Sequence, residues 1–79
     1  MKPVLTREVL MELFELKDHE YIELNNLLKV TGLCESGGVA KMLIADGQVK
    51  VDGQVELRKR CKIRQGQIVL FNNQQVQVS

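Results

Sequence analysis

Apolar positions along this chain follow two periods, and the change between them falls near the middle. Leu24, Leu27 and Leu28, with Thr31, recur at i, i+3, i+4, i+7, the spacing that lays one stripe along a helix. The pattern predicts a first helix over 23–31. Gly32 follows at the position where a left-handed residue ends a helix, and Leu33 can fold back onto the last turn. Ser36 then supplies an N-cap hydroxyl for a second helix, in which Val39, Ala40, Leu43 and Ile44 form the buried stripe and Gly47 is the stop. Two helices joined by four or five residues are expected to run antiparallel and pack together, with Ala40 as the small residue that lets them approach.

After Gly47 the period drops to two. Val49 and Val51 face one way, Gln48 and Lys50 the other. Asp52-Gly53 is a type I′ hairpin signal, because both residues tolerate positive φ, so Gln54-Val55-Glu56 is expected to return antiparallel. Gln65-Gly66 turns the chain into an apolar strand over 67–71, Asn72-Asn73 turns it again, and Val76 and Val78 complete the sheet.

Upstream of the helices the pattern is weaker. Residues 1–13 read as an N-terminal extension, either a short helix with Thr6 as N-cap and Val9, Leu10 and Leu13 on one face, or a frayed terminus. Phe14-Glu15-Leu16 alternates and reads as a short edge strand before the polar Lys17-Asp18-His19-Glu20 loop. The expected architecture is one α+β domain over 14–79, two short antiparallel helices packed on a small, mainly antiparallel β-sheet.

Composition limits what such a domain can do. With 79 residues and 44% hydrophobic content, the chain can bury one small core. No apolar run approaches the ~20 residues of a membrane span. Met1 to Leu13 is interrupted by Thr6, Arg7, Glu8 and Glu12, unlike a secretory signal, so a cytoplasmic location without membrane attachment is expected. Cys34 and Cys61 lack metal-ligand spacing and are read as reduced packing residues. His19 has no nucleophile or second acid placed beside it by any motif. No catalytic residue, metal site or cofactor is expected.

Formal charge is only +1, but it is segregated. Residues 1–23 carry three basic and six acidic side chains, a net of −3, whereas residues 24–79 carry eight basic and four acidic, a net of +4. Five of those cations fall between Arg58 and Arg64 with no acid among them. Exposed charges act over about one Debye length, ~8 Å at physiological salt, so clustering matters more than the total. An anionic partner is implied.

At this point the residues resemble a known family. Leu24-x-x-Leu27, Gly32, Ser36, Ala40, Leu43-Ile44, Gly47-x-Val49-x-Val51-x-Gly53, Val55 and Gly66-x-x-Val69 resemble the RNA-binding domain of the ribosomal small-subunit protein four type, the alpha-L motif. Glu20-Tyr21-Ile22-Glu23-Leu24, Glu35-Ser36-Gly37-Gly38 and Arg58-Lys59-Arg60 are similar to its small stand-alone bacterial YbcJ-like members. The resemblance implies an alpha-L fold and a non-enzymatic module that cradles structured RNA. Two positions depart from larger members: Gly37 stands where Arg is common, and Glu23-Leu24-Asn25 stands for an Arg-Leu-Asp entry. The basic run after the hairpin is expected to substitute.

The expected RNA-binding set is Lys29, Ser36, Gly37, Gly38, Lys41, Lys50, Arg58, Lys59, Arg60 and Lys62, converging on one basic face formed by the second helix, the hairpin and the 58–62 run. Amides at the Ser36-Gly37-Gly38 helix start offer a seat for phosphate. Only Phe14, Tyr21 and Phe71 are aromatic, which argues for structured or double-stranded RNA over stacked single strands. The partner is expected to be ribosomal or transfer RNA or a ribonucleoprotein, bound by a monomer. The alternative is an adaptor whose basic face docks an acidic partner such as an RNA-modifying enzyme.

Overall fold

The computed structural model describes residues 10–79. It opens with strand β1 (Leu10–Phe14), which lies parallel to the last strand, β7 (Gln74–Val78), with Leu10 opposite Gln74 and Phe14 opposite Val78. This corrects two expectations. Residues 10–13 are extended rather than helical, and the edge strand lies earlier than 14–16. The remainder of the expected helix, with Thr6 and Val9, lies outside the described residues. The physical reason is tertiary: β7 has an edge whose backbone groups need partners, and β1 satisfies them. Leu13, expected on one helix face with Val9 and Leu10, is 70% exposed. The ladder continues past β1, where Ser79 N–H donates to Phe14 O at 2.8 Å and Leu16 N–H to Ser79 O at 2.9 Å, and Leu16 is buried.

Strand β2 (Ile22–Glu23) runs straight into α1 (Leu24–Val30), whose Leu24, Leu27 and Leu28 are fully buried. Thr31 closes α1 as C-cap, its hydroxyl donating to Leu27 O at 2.7 Å, and Gly32 at φ +83° turns the chain away. Cys34 N–H then reaches back to Leu28 O at 3.0 Å, and Leu33 packs against the core. Helix α2 (Gly37–Ala45) is capped by Ser36, whose Oγ accepts from Val39 N–H at 3.2 Å. Ala40 and Ile44 are fully buried, Val39 and Leu43 partly so, and the two helices pack on each other.

From there the chain builds β3 (Val49–Val51), β4 (Gln54–Val55), β5 (Lys62–Ile63) and β6 (Ile68–Phe71) before β7. Five strands form one sheet in the order β1-β7-β6-β3-β4, antiparallel except for β1 with β7. Both predicted hairpin turns carry positive φ at their two central residues, 52° and 88° at Asp52 and Gly53, 55° and 65° at Asn72 and Asn73. Asp52 also braces its turn from the side, Oδ1 accepting from Ile68 N–H at 3.0 Å and Oδ2 from Gln67 Nε2 at 3.1 Å.

Alternation along these strands decides which face is buried. Val49, Val51, Val69, Val76 and Val78 line one side and meet Leu24, Leu27, Leu28, Ala40 and Ile44 in a single cluster with no buried polar residue among the described ones. Fully burying each such aliphatic side chain contributes roughly 1.5–3 kcal/mol. The sheet's other side carries Lys50, flanked by Val55 and Leu70 in register. Separately, β2 and β5 form a two-stranded antiparallel ribbon, Ile22 opposite Ile63 and Glu23 opposite Lys62.

Candidate nucleic-acid interface

The ribbon explains how the basic run is held. Glu23 occupies the N-cap of α1 at φ −69°, ψ 143°, but its side chain makes no capping bond. The first orphan amides of α1 are met instead by the basic loop: Leu24 N–H donates to Cys61 O at 2.9 Å and Asn25 N–H to Lys59 O at 3.0 Å. A turn across 59–60, closed by Cys61 N–H to Arg58 O at 3.2 Å, leaves Lys59 and Arg60 exposed. Carbonyls of the basic loop thus fasten it to a helix end, while its side chains face water. Asn25 Oδ1, beneath this junction, is buried without a hydrogen-bond partner.

The other end of α1 carries a second group. Lys29 is exposed in its last turn, where a cation suits the helix dipole. Across the 31–36 connection, α2 begins with Gly37 and Gly38 and has no acidic residue in its first turn. Val39 N–H is taken by Ser36 Oγ and Ala40 N–H by Ser36 O at 3.0 Å, which leaves the Gly37 and Gly38 amides as the remaining donors of that turn. A Cβ at Gly37 would meet nothing within 4 Å, so the surface there is open. Lys41 is four residues beyond Gly37 and three beyond Gly38, which sets it above them on one helix face. Because α1 has seven residues, its ends are only about 10 Å apart, close to one Debye length. The two cationic groups therefore lie near enough for their fields to overlap.

Two expected members stand apart. Lys50 lies on the face of β3 opposite Val49 and Val51, so the sheet separates it from the helices. Arg58 is spent on Glu56: Nε reaches Oε2 at 2.8 Å and Nη2 reaches Oε1 at 3.1 Å, while the Arg58 backbone amide donates to Oε2 at 2.9 Å. Hydrogen bonding from Arg58 holds the Glu56 carboxyl at about 2, well below its ordinary value. Of the ten expected residues, the structure groups Lys59, Arg60 and Lys62 at one end of α1 and Lys29, Ser36, Gly37, Gly38 and Lys41 at the other, with the Ser36 hydroxyl taken up by the cap of α2, and it sets Lys50 on the far side of the sheet and pairs Arg58 with Glu56.

The ribbon also brings Tyr21 and Arg64, neither of them in the expected RNA-binding set, together with Lys62. Lys62 Nζ lies 4.9 Å and Arg64 Cζ 5.5 Å from the centroid of the Tyr21 ring. What joins them is the pairing of Ile22 with Ile63 and of Glu23 with Lys62, and two-residue strands are too short to announce themselves by period. The cysteines offer no rival chemistry. Burial pushes both the Cys34 and the Cys61 thiol up, away from the reactive thiolate. Among the described residues no group of His, Cys, Asp or Glu is arranged to hold a metal ion, and no helix is long and apolar enough to cross a membrane.

Comparison with known proteins places this arrangement among relatives. The S4 domain family matches residues 14–79. A candidate RNA-binding protein of Escherichia coli strain K12, YbcJ, is 57% identical over 68 residues, which cover 86% of this chain and 97% of that protein. The YbcJ protein of Shigella flexneri matches to the same extent. The solution structure of E. coli YbcJ, described as containing an alpha-L motif involved in RNA binding, superimposes with a TM-score of 0.68 at 52% identity and covers 98% of both chains. The crystal structure of the 30S ribosomal protein S4e from Thermoplasma acidophilum shares the fold at 19% identity and a TM-score of 0.56, over 73% of this chain and 31% of that one.

Proposed function

Because the chain belongs to the S4 domain family, we propose that it is a binding module for structured RNA, not an enzyme, that acts as a cytoplasmic monomer on ribosomal or transfer RNA or on a ribonucleoprotein. The RNA binding ascribed to the E. coli relative supports the ligand class. The observation that carries the reading is the fastening of the basic loop to α1 through Leu24 N–H to Cys61 O and Asn25 N–H to Lys59 O. It spends the loop's carbonyls on the protein and leaves Lys59 and Arg60 exposed beside a helix whose far end adjoins the Gly37 and Gly38 amides.

Cations carried on a fastened loop and open amides suit phosphate oxygens, which report backbone shape rather than base sequence. Four to six such contacts are the basis of the affinity, and Lys59 and Arg60 are its centre. The test is crosslinking in living cells followed by sequencing of the recovered RNA, with the wild-type chain beside K59A/R60A. Recovery of a defined structured RNA by the wild type, and its loss in the variant, is the expected result. A variant that recovers the same RNA as well as the wild type overturns the assignment of the face. A wild type that recovers only proteins, an acidic RNA-modifying enzyme for example, overturns the RNA reading in favour of an adaptor.

A further inference from the structure

The β2–β5 ribbon has a buried side and an outward side, and only the buried side is explained by folding. Ile22 and Ile63, opposite each other, face the core, and Ile63 is fully buried. Strand alternation sets Tyr21 and Glu23 of one strand, and Lys62 and Arg64 of the other, on the outward side. Extending the register by one step brings Arg64 opposite Tyr21, and Lys62 sits diagonally from the same ring. The tyrosine thus stands among two cations, 4.9 Å and 5.5 Å from its centroid, and retains 37% of its exposure.

The two cations differ in kind from Arg58. Arg58 is neutralised by a carboxylate, whereas among the described residues neither Lys62 nor Arg64 has a carboxylate within 4.0 Å. Their nearest partner is a neutral π face, which restrains where the charges sit, while Glu23, opposite Lys62 on the same side, offsets part of the charge without forming an ion pair within 4.0 Å. Two restrained cations against one carboxylate leave a net positive charge held in place, which is what an anion site needs, since long side chains otherwise lose rotamer entropy on binding. Lys62 also follows directly on the loop whose carbonyls are fastened to α1, so this group continues the Lys59–Arg60 surface along the ribbon.

We propose that Tyr21, Lys62 and Arg64 form a phosphate seat on the ribbon, which takes two phosphodiester groups of the RNA strand that Lys59 and Arg60 engage. The proposal rests on the RNA-binding reading and adds to it Tyr21 and Arg64. Lys62 and Arg64 contact the phosphates. Tyr21 is the positioning residue, and its ring rather than its hydroxyl is what matters.

The experiment is fluorescence anisotropy of a labelled RNA stem-loop, titrated with the full chain at salt concentrations between about 50 and about 200 mM. Replacing both cations in K62Q/R64Q is expected to flatten the slope of log K against log salt by roughly 1.4 to 1.8, at ~0.7–0.9 per phosphate lost. Y21L keeps both charges, so its slope should equal that of the wild type while its affinity falls by roughly two- to five-fold. Y21F keeps the ring and is expected to bind as the wild type does. An unchanged slope in K62Q/R64Q overturns the seat while leaving RNA binding at the loop intact. A Y21F as weak as Y21L overturns the role of the ring, and a wild type without salt-dependent RNA binding overturns both this proposal and the reading beneath it. Thermal unfolding of each variant guards against misfolding, and K62Q/R64Q, which alters exposed side chains only, decides the seat if Y21L fails to fold.

Discussion

Arg58 folds its guanidinium back onto Glu56, two residues earlier in the chain, so that one carboxylate receives Nε at 2.8 Å, Nη2 at 3.1 Å and the Arg58 backbone amide at 2.9 Å. A two-point pair of this geometry is among the stronger exposed ion pairs. It removes one cation from the face that Lys59 and Arg60 present, and it shapes the chain as it leaves β4.

Glu56→Gln should therefore strengthen RNA binding. The amide cannot neutralise Arg58, which becomes available to a phosphate, and the slope of log K against log salt should steepen by about 0.7–0.9, one added contact. Anisotropy titrations at several salt concentrations measure both quantities. Equal slopes for wild type and variant would mean that Arg58 stays off the RNA even when released.

The same pair sets a dependence on acid. Arg58 depresses the Glu56 carboxyl from its ordinary 4.5 to about 2, so the folded state favours the ionised form and the pair's contribution is complete above pH 4.5. It is lost as the pH falls from there through about 2. A carboxyl-detected NMR titration should give Glu56 a midpoint near 2, and Arg58→Ala should return it toward 4.5. A Glu56 midpoint that Arg58→Ala leaves in place would refute the pairing as its cause.

The whole chain should lose affinity with salt at a slope of roughly −3 to −5, as four to six phosphate contacts require. A flat response would exclude phosphate neutralisation as the source of binding.

Position should outweigh charge among the lysines. Lys50→Ala and Lys59→Ala each remove one cation, but Lys50 lies across the sheet from the helices. Lys59→Ala should flatten the salt slope by about 0.7–0.9 and Lys50→Ala should leave it unchanged. Equal losses would place the RNA across both faces.

Stability predictions separate the cap from the core. Ser36→Ala removes the acceptor of Val39 N–H and should cost about 1 kcal/mol. Leu27→Ala, at a fully buried position in α1, should cost about 2–5 kcal/mol, read from urea unfolding. A Ser36→Ala penalty as large as that of Leu27→Ala would show that the cap organises more than its own turn.

What the amino-acid sequence determined by itself was local. The stripe of Leu24, Leu27 and Leu28, the Ser36 cap, the stop at Gly32 and the turns at Asp52-Gly53 and Asn72-Asn73 each depend on residues within a few positions of one another, and each is present in the structure. The cationic run at 58–62 was equally plain as chemistry. Tertiary structure alone decided the rest. Residues 10–14 became a strand because β7, more than sixty positions later, had backbone groups to satisfy. Arg58 was withdrawn by a neighbour whose rotamer no periodicity encodes, Lys50 was sent to the far side of the sheet, and Tyr21 met Lys62 and Arg64 only because two short strands far apart in the chain paired. Helix stripes, caps and turns are written in nearest neighbours, whereas which charges share a surface depends on pairings between distant segments, whose closure is driven by the burial of a common core.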